Sequence, residues 1–254
     1  MRVYIYVLLS ALFGLSPFRP IEKHLENRFK RKVEGLEEAR VKIYASRFGF
    51  LFTGFIRKVI VELSGLRVGG LRTEAFIVKA KDIRFRPFST FIRGRTRVRN
   101  AGDTTWLLRI QEGDFEDFFN SKGPLLGKME VKIDGEWITL RRTAGIAKLL
   151  SLEAFNLRGR LTLSEQKNVM LELDHVSAFG ISPGRPFRDT IMGLANPLIK
   201  AVDINRLIKR NPIEVLEGVK PHTILEDIRL SPGQADVLGE IILLPDSPSE
   251  KNAG

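Results

Sequence analysis

The residues from Leu51 to Asp82 read LFTGFIRKVIVELSGLRVGGLRTEAFIVKAKD, and their apolar side chains follow a period of two. In the segments RKVIVEL and EAFIVKA, apolar residues occupy every second position and would share one face of an extended chain. Gly65 and the pair Gly69-Gly70 supply turns between the segments. This pattern predicts half-buried antiparallel strands.

The same period continues on both sides of this stretch. Strand-like segments are VKIYAS, TTWLLRI, MEVKID, EWITLRR, LEAFNLRGRLTL and NVMLELDHVSAFG, and HTILEDIRLSPGQADVLGEIILL is typical of a hairpin. EGDFEDFFNSKG predicts a short amphipathic helix, and PFRDTIMGLANPLIKAV a helix broken near Pro197. No composition break divides the chain. The sequence predicts one elongated α+β domain over residues 20–244 and a polar, disordered tail over 245–254.

A further helix is predicted from Pro20 to Gly35. Ile21, Leu25, Phe29 and Val33 recur every four residues, and the positions between them are mostly charged. A helix packed on a sheet and a helix lying in a membrane interface both show this pattern.

The composition excludes several classes of protein. With 43% hydrophobic and 28% charged residues among 254, the chain resembles an ordinary globular protein and not a disordered, collagen-like or multi-pass membrane protein. The absence of cysteine excludes disulfides, cysteine-ligated metals and a thiol nucleophile.

The positive charge is concentrated in one part of the chain. Residues 1–100 hold 22 Lys and Arg against 8 Asp and Glu, whereas residues 101–254 hold 19 against 22. A surface with this excess attracts polyanions such as nucleic acid or an anionic membrane. Solubility alone is the alternative reason for such a charge.

The N-terminal segment over residues 1–19 is apolar. Val3 to Leu15 contains no charged residue, and these 13 positions are too few for a spanning helix but match the apolar core of a secretory signal. A short export signal or an uncleaved anchor is the favoured interpretation, and a buried apolar element of the fold is the alternative.

Two segments combine features that suit a lipid. RFGFLFTGF is rich in large apolar side chains that core, lipid or a partner must cover; the residues we assign to acyl-chain binding are Phe48, Phe50, Leu51, Phe52 and Phe55. In IRGRTRVR, four arginines share one face of a predicted strand and would repel one another unless anions lie opposite them. The residues we assign to binding the anionic headgroup are Arg93, Arg95, Arg97 and Arg99. A solvated face neutralised by a neighbouring strand is the alternative for the arginines.

Catalytic motifs are not found. His24, His175 and His222 have no partners at metal-ligand spacing, and neither a GxSxG elbow nor a phosphate-binding glycine loop occurs. We therefore expect a binding protein with no catalytic residue, no metal site and no cofactor. The alternative is an enzyme acting on a lipid or glycan, with Asp114 and either Glu116 or Asp117 as its carboxylates.

Nucleic acid binding is a second alternative, based on the basic N-terminal region. The phenylalanines cluster in apolar runs, however, and are not interleaved singly with Arg and Lys as in base-stacking surfaces. A phospholipid explains both features, because its phosphate would contact arginine and its acyl chains would contact Phe, Leu and Ile. We therefore expect no nucleic-acid partner.

Several of these segments resemble the LmeA-like phospholipid-binding proteins, a bacterial family. The resemblance lies in Leu51-Phe52-Thr53-Gly54, in Gly65 to Arg72, in Val78 to Asp82, in Glu112 to Ser121 and in the closing run from Asn211 to Gly239. It covers residues 20–244.

The resemblance implies a fold and a ligand class. The fold would be similar to tubular lipid-binding modules, in which a curved antiparallel sheet wraps a long N-terminal helix around an apolar groove, with one or two further helices. The function implied is non-enzymatic binding of anionic phospholipid by an exported or membrane-associated protein of the cell envelope. Transfer and sensing of the lipid are both compatible with it.

Overall fold

A computed structural model describes residues 18–33, 35–46, 49–85, 98–122, 128–143, 153–210 and 219–245. Of the predicted N-terminal segment 1–19, all but Phe18 and Arg19 lie outside the described residues. Of the predicted tail 245–254, all but Pro245 do so as well.

Helices and strands alternate along the described chain. The helices are α1 (Phe18–Lys32), α2 (Glu112–Ser121), α3 (Arg185–Ala195) and α4 (Ala201–Arg210). The strands of the first half are β1 (Glu38–Tyr44), β2 (Phe55–Ser64), β3 (Arg67–Val68), β4 (Leu71–Arg72), β5 (Ala75–Phe85), β6 (Val98–Asn100) and β7 (Thr104–Gln111). The later strands are β8 (Glu130–Asp134), β9 (Trp137–Thr143), β10 (Glu153–Leu163), β11 (Val169–Ala178), β12 (Val219–Ser231) and β13 (Gln234–Pro245). A π-helical turn, Gly49–Thr53, lies between β1 and β2.

The strands form two main antiparallel sheets. The first has the order β1-β2-β5-β7-β13-β12, with β6 paired to β5, and the second has the order β11-β10-β9-β8. Strands β3 and β4 form a small separate hairpin. The α+β class and the predominance of antiparallel strands are thereby confirmed.

The helices differ from the expectation in two respects. The N-terminal helix α1 has 15 residues and lies against β1 at the edge of the first sheet, so the picture of a long helix wrapped by sheet is confirmed only in part. The described residues form three further helices where one or two were expected, because the segment interrupted at Pro197 forms two separate helices, α3 and α4.

One continuous core joins both sheets and all four helices. In the first sheet the cross-strand neighbours Val61, Val78 and Trp106 point into it, as the alternation in the sequence predicts. Trp106 lies opposite Gly239 of β13, where an added Cβ would be 2.6 Å from the indole Cζ2. The indole therefore occupies the space that a side chain at Gly239 would need.

Glutamates of α1 bind the free edge of the first sheet. The backbone N–H groups of Val41 and Ile43 point away from β2 and donate to Glu26 Oε1 and Glu22 Oε1 at 2.9 and 2.8 Å. Four residues of helix advance about 6 Å and two residues of strand about 6.7 Å, so the spacings match. The helix thus covers an edge that would otherwise expose unpaired donors.

The edge of the second sheet is covered in the same way. Ile133 and Val131 of β8 donate to Glu112 Oε1 and Glu116 Oε1 of α2 at 2.6 and 2.9 Å. In both helix–strand pairs the partners are 21 and 15 residues apart.

Asparagines cover the two remaining edges. Thr223 of β12 donates its backbone N–H to Asn205 Oδ1 of α4 at 2.9 Å. Asn196, just after α3, accepts from the N–H of Leu171 in β11 at 2.7 Å and donates to its carbonyl at 2.8 Å. Each edge of both main sheets is therefore bonded to a side chain from a helix or its end.

The chain contains an internal repeat that the sequence predictions missed. A helix followed by a four-stranded meander occurs twice, as α1 with β1-β2-β5-β7 and as α2 with β8-β9-β10-β11. Positions 90 residues apart carry the same residue at Glu22 and Glu112, Glu26 and Glu116, Phe29 and Phe119, Lys32 and Lys122, Val41 and Val131, Lys42 and Lys132, and Ile43 and Ile133. Self-comparison of the sequence at this spacing would have revealed it.

The edge bonds predict a specific loss of stability. We expect Glu116→Ala to lower the free energy of unfolding by about 1–3 kcal/mol, because the N–H of Val131 loses its acceptor. Glu116→Gln keeps an acceptor oxygen and should lose less. Asp117→Ala, at an exposed position of the same helix, is the control and should change stability by no more than about 0.5 kcal/mol. Equal urea midpoints for Glu116→Ala and Asp117→Ala would contradict the edge assignment.

Candidate functional site

The phenylalanines predicted to bind acyl chains do not all point the same way. Phe50 is buried, and its ring lies edge-to-face on Phe18 with a centroid distance of 5.3 Å. Phe55 is half-buried, whereas Phe52 is 71% exposed. Phe50 and Phe52 both belong to the π-helical turn, one buried and one exposed, which the spacing in the sequence did not reveal. Phe48 and the side chain of Leu51 lie outside the described residues.

The predicted arginine strand is described only at its end. Arg93, Arg95 and Arg97 lie outside the described residues, and Arg99 belongs to β6, with its side chain not described. Strand β6 pairs with the end of β5, at Phe85 and Val98. In sequence, residues 86–97 therefore connect β5 to β6. These two strands pair at one end of the first sheet, and the π-helical turn lies at the same end.

A small apolar cluster occupies this end of the first sheet, and we call it the apolar end. Its members are Phe18, Ile21, Ile43, Ala45, Phe50 and Ile56. Ile43 also packs against the main core, so the two apolar regions are continuous. α1, β1, β2 and the π-helical turn all contribute to the cluster.

The inner face of the first sheet is less covered near the apolar end. There the cross-strand neighbours Ile43, Val59 and Ala80 are half-buried. Further along the same strands, the neighbours Leu63 and Phe76 are each 1% exposed. Partly exposed apolar area that could contact a ligand is therefore present at the end of this face that adjoins the apolar end.

A buried hydroxyl lies on the same inner face. Thr223 of β12 is 4% exposed, and its Oγ1 has no hydrogen-bond partner among the described residues. A buried hydroxyl without a partner carries a desolvation cost. The cross-strand neighbour of Thr223 is Ile241 of β13. Ile241 lies in line with the row of inner-face residues that ends at Ile43 of β1.

The carboxylates of the alternative enzyme hypothesis have structural partners. Asp114 is 4% exposed and accepts from Arg72 Nη1 at 2.8 Å and from the N–H of Gln111 at 3.0 Å. Glu116 binds the edge of β8, and Asp117 is exposed. The pKa of the Arg72 guanidinium is raised, mainly by its hydrogen bonds to Glu37 and secondly by its hydrogen bond to Asp114. Arg72 therefore stays charged. None of the carboxylates of Asp114, Glu116 and Asp117 lines the polar groove on the second sheet.

A polar groove of about 490 Å³ lies on the solvent face of the second sheet. The guanidinium carbons of Arg158 and Arg160 lie 4.1 and 4.0 Å from the ring centroid of Trp137, a cation–π arrangement. His175 and Asp174 line the groove. Within the described ranges, no group of three or more His, Asp or Glu side chains could hold a metal ion.

No helix of the described segments is both long and apolar enough to cross a bilayer.

The fold and these features define a class: an antiparallel α+β protein with an apolar region at one end of its larger sheet. The chain belongs to the LmeA-like phospholipid-binding family, whose model matches residues 20–215. The predicted resemblance of the closing run from Asn211 to Gly239 lies mostly beyond the end of this match. No curated protein and no solved structure matches the chain significantly.

The structural role of Asp114 leads to a test that separates it from catalysis. We expect Asp114→Asn to lower the free energy of unfolding by about 2–4 kcal/mol, because it leaves Arg72 and the N–H of Gln111 poorly paired. Asp117→Asn is the matched control and should be nearly neutral. Denaturant unfolding measures both. An Asp114→Asn protein as stable as wild type would contradict the structural role and make this carboxylate a catalytic candidate again.

Proposed function

We propose that this protein binds anionic phospholipid without catalysing a reaction on it. The acyl chains would lie against the apolar end and residues 48–55. The headgroup would contact Arg93, Arg95, Arg97 and Arg99. Phospholipid binding is the property of the family; the anionic preference, the absence of catalysis and the position of the ligand are the proposal.

The proposed position of the acyl chains is based on the continuity of the apolar end with the half-buried inner face of the first sheet. An acyl chain there would replace water on the side chains of Ile43, Val59 and Ala80. Burial is worth about 0.8 kcal/mol per CH₂, so ten methylene groups would contribute about 8 kcal/mol before the costs of ordering. Aliphatic and Phe side chains suit this contact because they leave no polar atom unsatisfied.

The buried hydroxyl of Thr223 on the inner face supports binding of a lipid at a fixed depth in the protein. The hydroxyl of Thr223 could donate to an ester oxygen of the glycerol backbone, which would remove its desolvation cost. The inner row through Val59, Ala80 and Thr104 leads across the sheet towards it.

The charge distribution supports an anionic headgroup. Residues 1–100 carry a net charge of +14, and they contain all of the proposed headgroup arginines. Arginine binds phosphate through paired N–H donors and remains charged at all physiological pH values. We propose membrane association at the cell envelope on the same grounds, with transfer or sensing of the lipid as the task.

The experiment is lipid mass spectrometry on the purified protein, followed by titration with short-chain phosphatidylglycerol and phosphatidylcholine. We expect co-purified anionic phospholipid and tighter binding of phosphatidylglycerol. Arg95→Ala/Arg97→Ala should weaken that binding about 30-fold, at about 1 kcal/mol per cationic side chain. The control Arg206→Ala/Arg229→Ala removes two exposed arginines that pair with Asp203 and Asp227 and should leave binding unchanged.

Two results would contradict the proposal. Equal affinity for both lipids in wild type and variant would remove its electrostatic part. Failure of the folded protein to bind either lipid would remove all of it.

A further inference from the structure

Four lysines form a cationic patch on the solvent face of the first sheet, which we call the lysine face: Lys42, Lys58, Lys79 and Lys81. Lys58 of β2 and Lys81 of β5 are direct cross-strand partners. Lys42 and Lys79 both pair with Ile60, one on each side of it, so all four side chains share one face. Like charges directly opposite each other destabilise a sheet unless something neutralises them.

Neutralisation from the protein itself is weak at this place. Among the described residues, no carboxylate lies within 4.0 Å of any of these four ammonium groups. Glu62, two residues from Ile60 on the same face, is the diagonal neighbour of Lys42 and Lys79. Asp103 is the neighbour of Lys81 on the β7 side, and Glu240 lies beyond Thr105 in the row of Lys79. The patch therefore keeps more positive than negative charge.

The opposite end of the same face shows what a neutralised surface looks like in this protein. There Arg40, Arg109 and Arg229 each have a carboxylate partner at 2.9 Å. The hydrogen bond that Arg109 donates to Asp236 raises the pKa of Arg109. Among the described residues on the solvent face of the first sheet, the cations without a close carboxylate are therefore concentrated in the lysine face.

The internal repeat provides a second comparison. The row of Tyr44, Lys58 and Lys81 corresponds in the second sheet to Asp134, Trp137 and Arg160. Arg160 stacks on Trp137, lies 3.9 Å from Glu136, and has Glu172 as its partner on β11. The same position in the repeated fold can therefore be charge-balanced, so the fold itself does not require the lysines.

Exposed aromatic residues lie beside the lysine face. Tyr44, at the end of β1, is 47% exposed, and Lys58 Nζ lies 5.9 Å from its ring centroid. Phe52, in the adjoining π-helical turn, is 71% exposed. Aromatic rings next to cationic side chains are the composition of protein surfaces that bind the bilayer interface.

We infer that the lysine face, with Tyr44 and Phe52, docks the protein on an anionic membrane surface. Ammonium groups suit a diffuse layer of lipid phosphates because they act as compact point charges without a preferred planar geometry. Phe52 has no polar atom and would enter the apolar side of the headgroup layer. The inference rests on the proposed lipid-binding function and adds the surface through which the protein reaches its lipid, beside the apolar end.

The test is co-sedimentation with vesicles of phosphatidylglycerol mixed with phosphatidylcholine, and with vesicles of phosphatidylcholine alone. We expect binding to the mixed vesicles that weakens as salt is added. Lys58→Gln/Lys81→Gln should bind them about 30-fold more weakly. The control Lys132→Gln/Lys200→Gln removes the same charge at exposed sites elsewhere, one of them the repeat equivalent of Lys42, and should stay within about twofold of wild type.

A second measurement separates docking from lipid binding. Short-chain phosphatidylglycerol below its micelle concentration reaches the apolar end without a membrane surface, so Lys58→Gln/Lys81→Gln should bind it as wild type does. This binding also shows that the variant is folded.

The outcomes are distinguishable. Wild-type vesicle binding by Lys58→Gln/Lys81→Gln would overturn the docking inference and leave the proposed function standing. Lysine-dependent vesicle binding by a protein that takes up no monomeric lipid would support docking and contradict the proposed function. Lysine-dependent binding of a DNA duplex with unchanged vesicle binding would overturn docking in favour of a nucleic-acid surface.

Discussion

Side chains of the helices and their ends accept hydrogen bonds from the free N–H groups of the edge strands, and these bonds cover the edges of both main sheets. An antiparallel sheet with a long open edge invites pairing with other chains. Here Glu22 and Glu26 bind β1, Glu112 and Glu116 bind β8, and asparagines near α3 and α4 bind β11 and β12. The helix α1 that covers the β1 edge also contributes Phe18 and Ile21 to the apolar end of the first sheet.

The repeat shows how one architecture serves two purposes. Both units use the same helix, the same glutamate spacing and the same four-stranded meander. In the second unit the solvent face holds a stacked Trp137 and paired charges, which suits a structural role. In the first unit the equivalent face holds lysines that have no close carboxylate among the described residues, and the apolar cluster around Phe50 adjoins it. Chemistry suited to an amphiphilic ligand is thus concentrated in one unit.

The sequence predicted local structure better than it predicted partners. The period of two in RKVIVEL and EAFIVKA, the break near Pro197 and the hairpin HTILEDIRLSPGQADVLGEIILL correspond to elements of the fold, because each depends on a few neighbouring residues. The opposite Lys58 and Lys81 were not predicted, since strand register is a tertiary property. The opposed directions of Phe50 and Phe52 depend on a π-helical turn that the spacing of the phenylalanines does not encode. The acyl-chain and headgroup assignments therefore remain predictions.

Amide hydrogen exchange with and without short-chain phosphatidylglycerol shows whether lipid binds at the apolar end of the first sheet. We expect slower exchange at the amides of Ile43, Phe50, Val59 and Ala80 in the presence of lipid, and no change around Trp137 on the second sheet. Protection confined to the groove at Trp137, or saturating lipid binding without protection at the apolar end, would contradict this expectation.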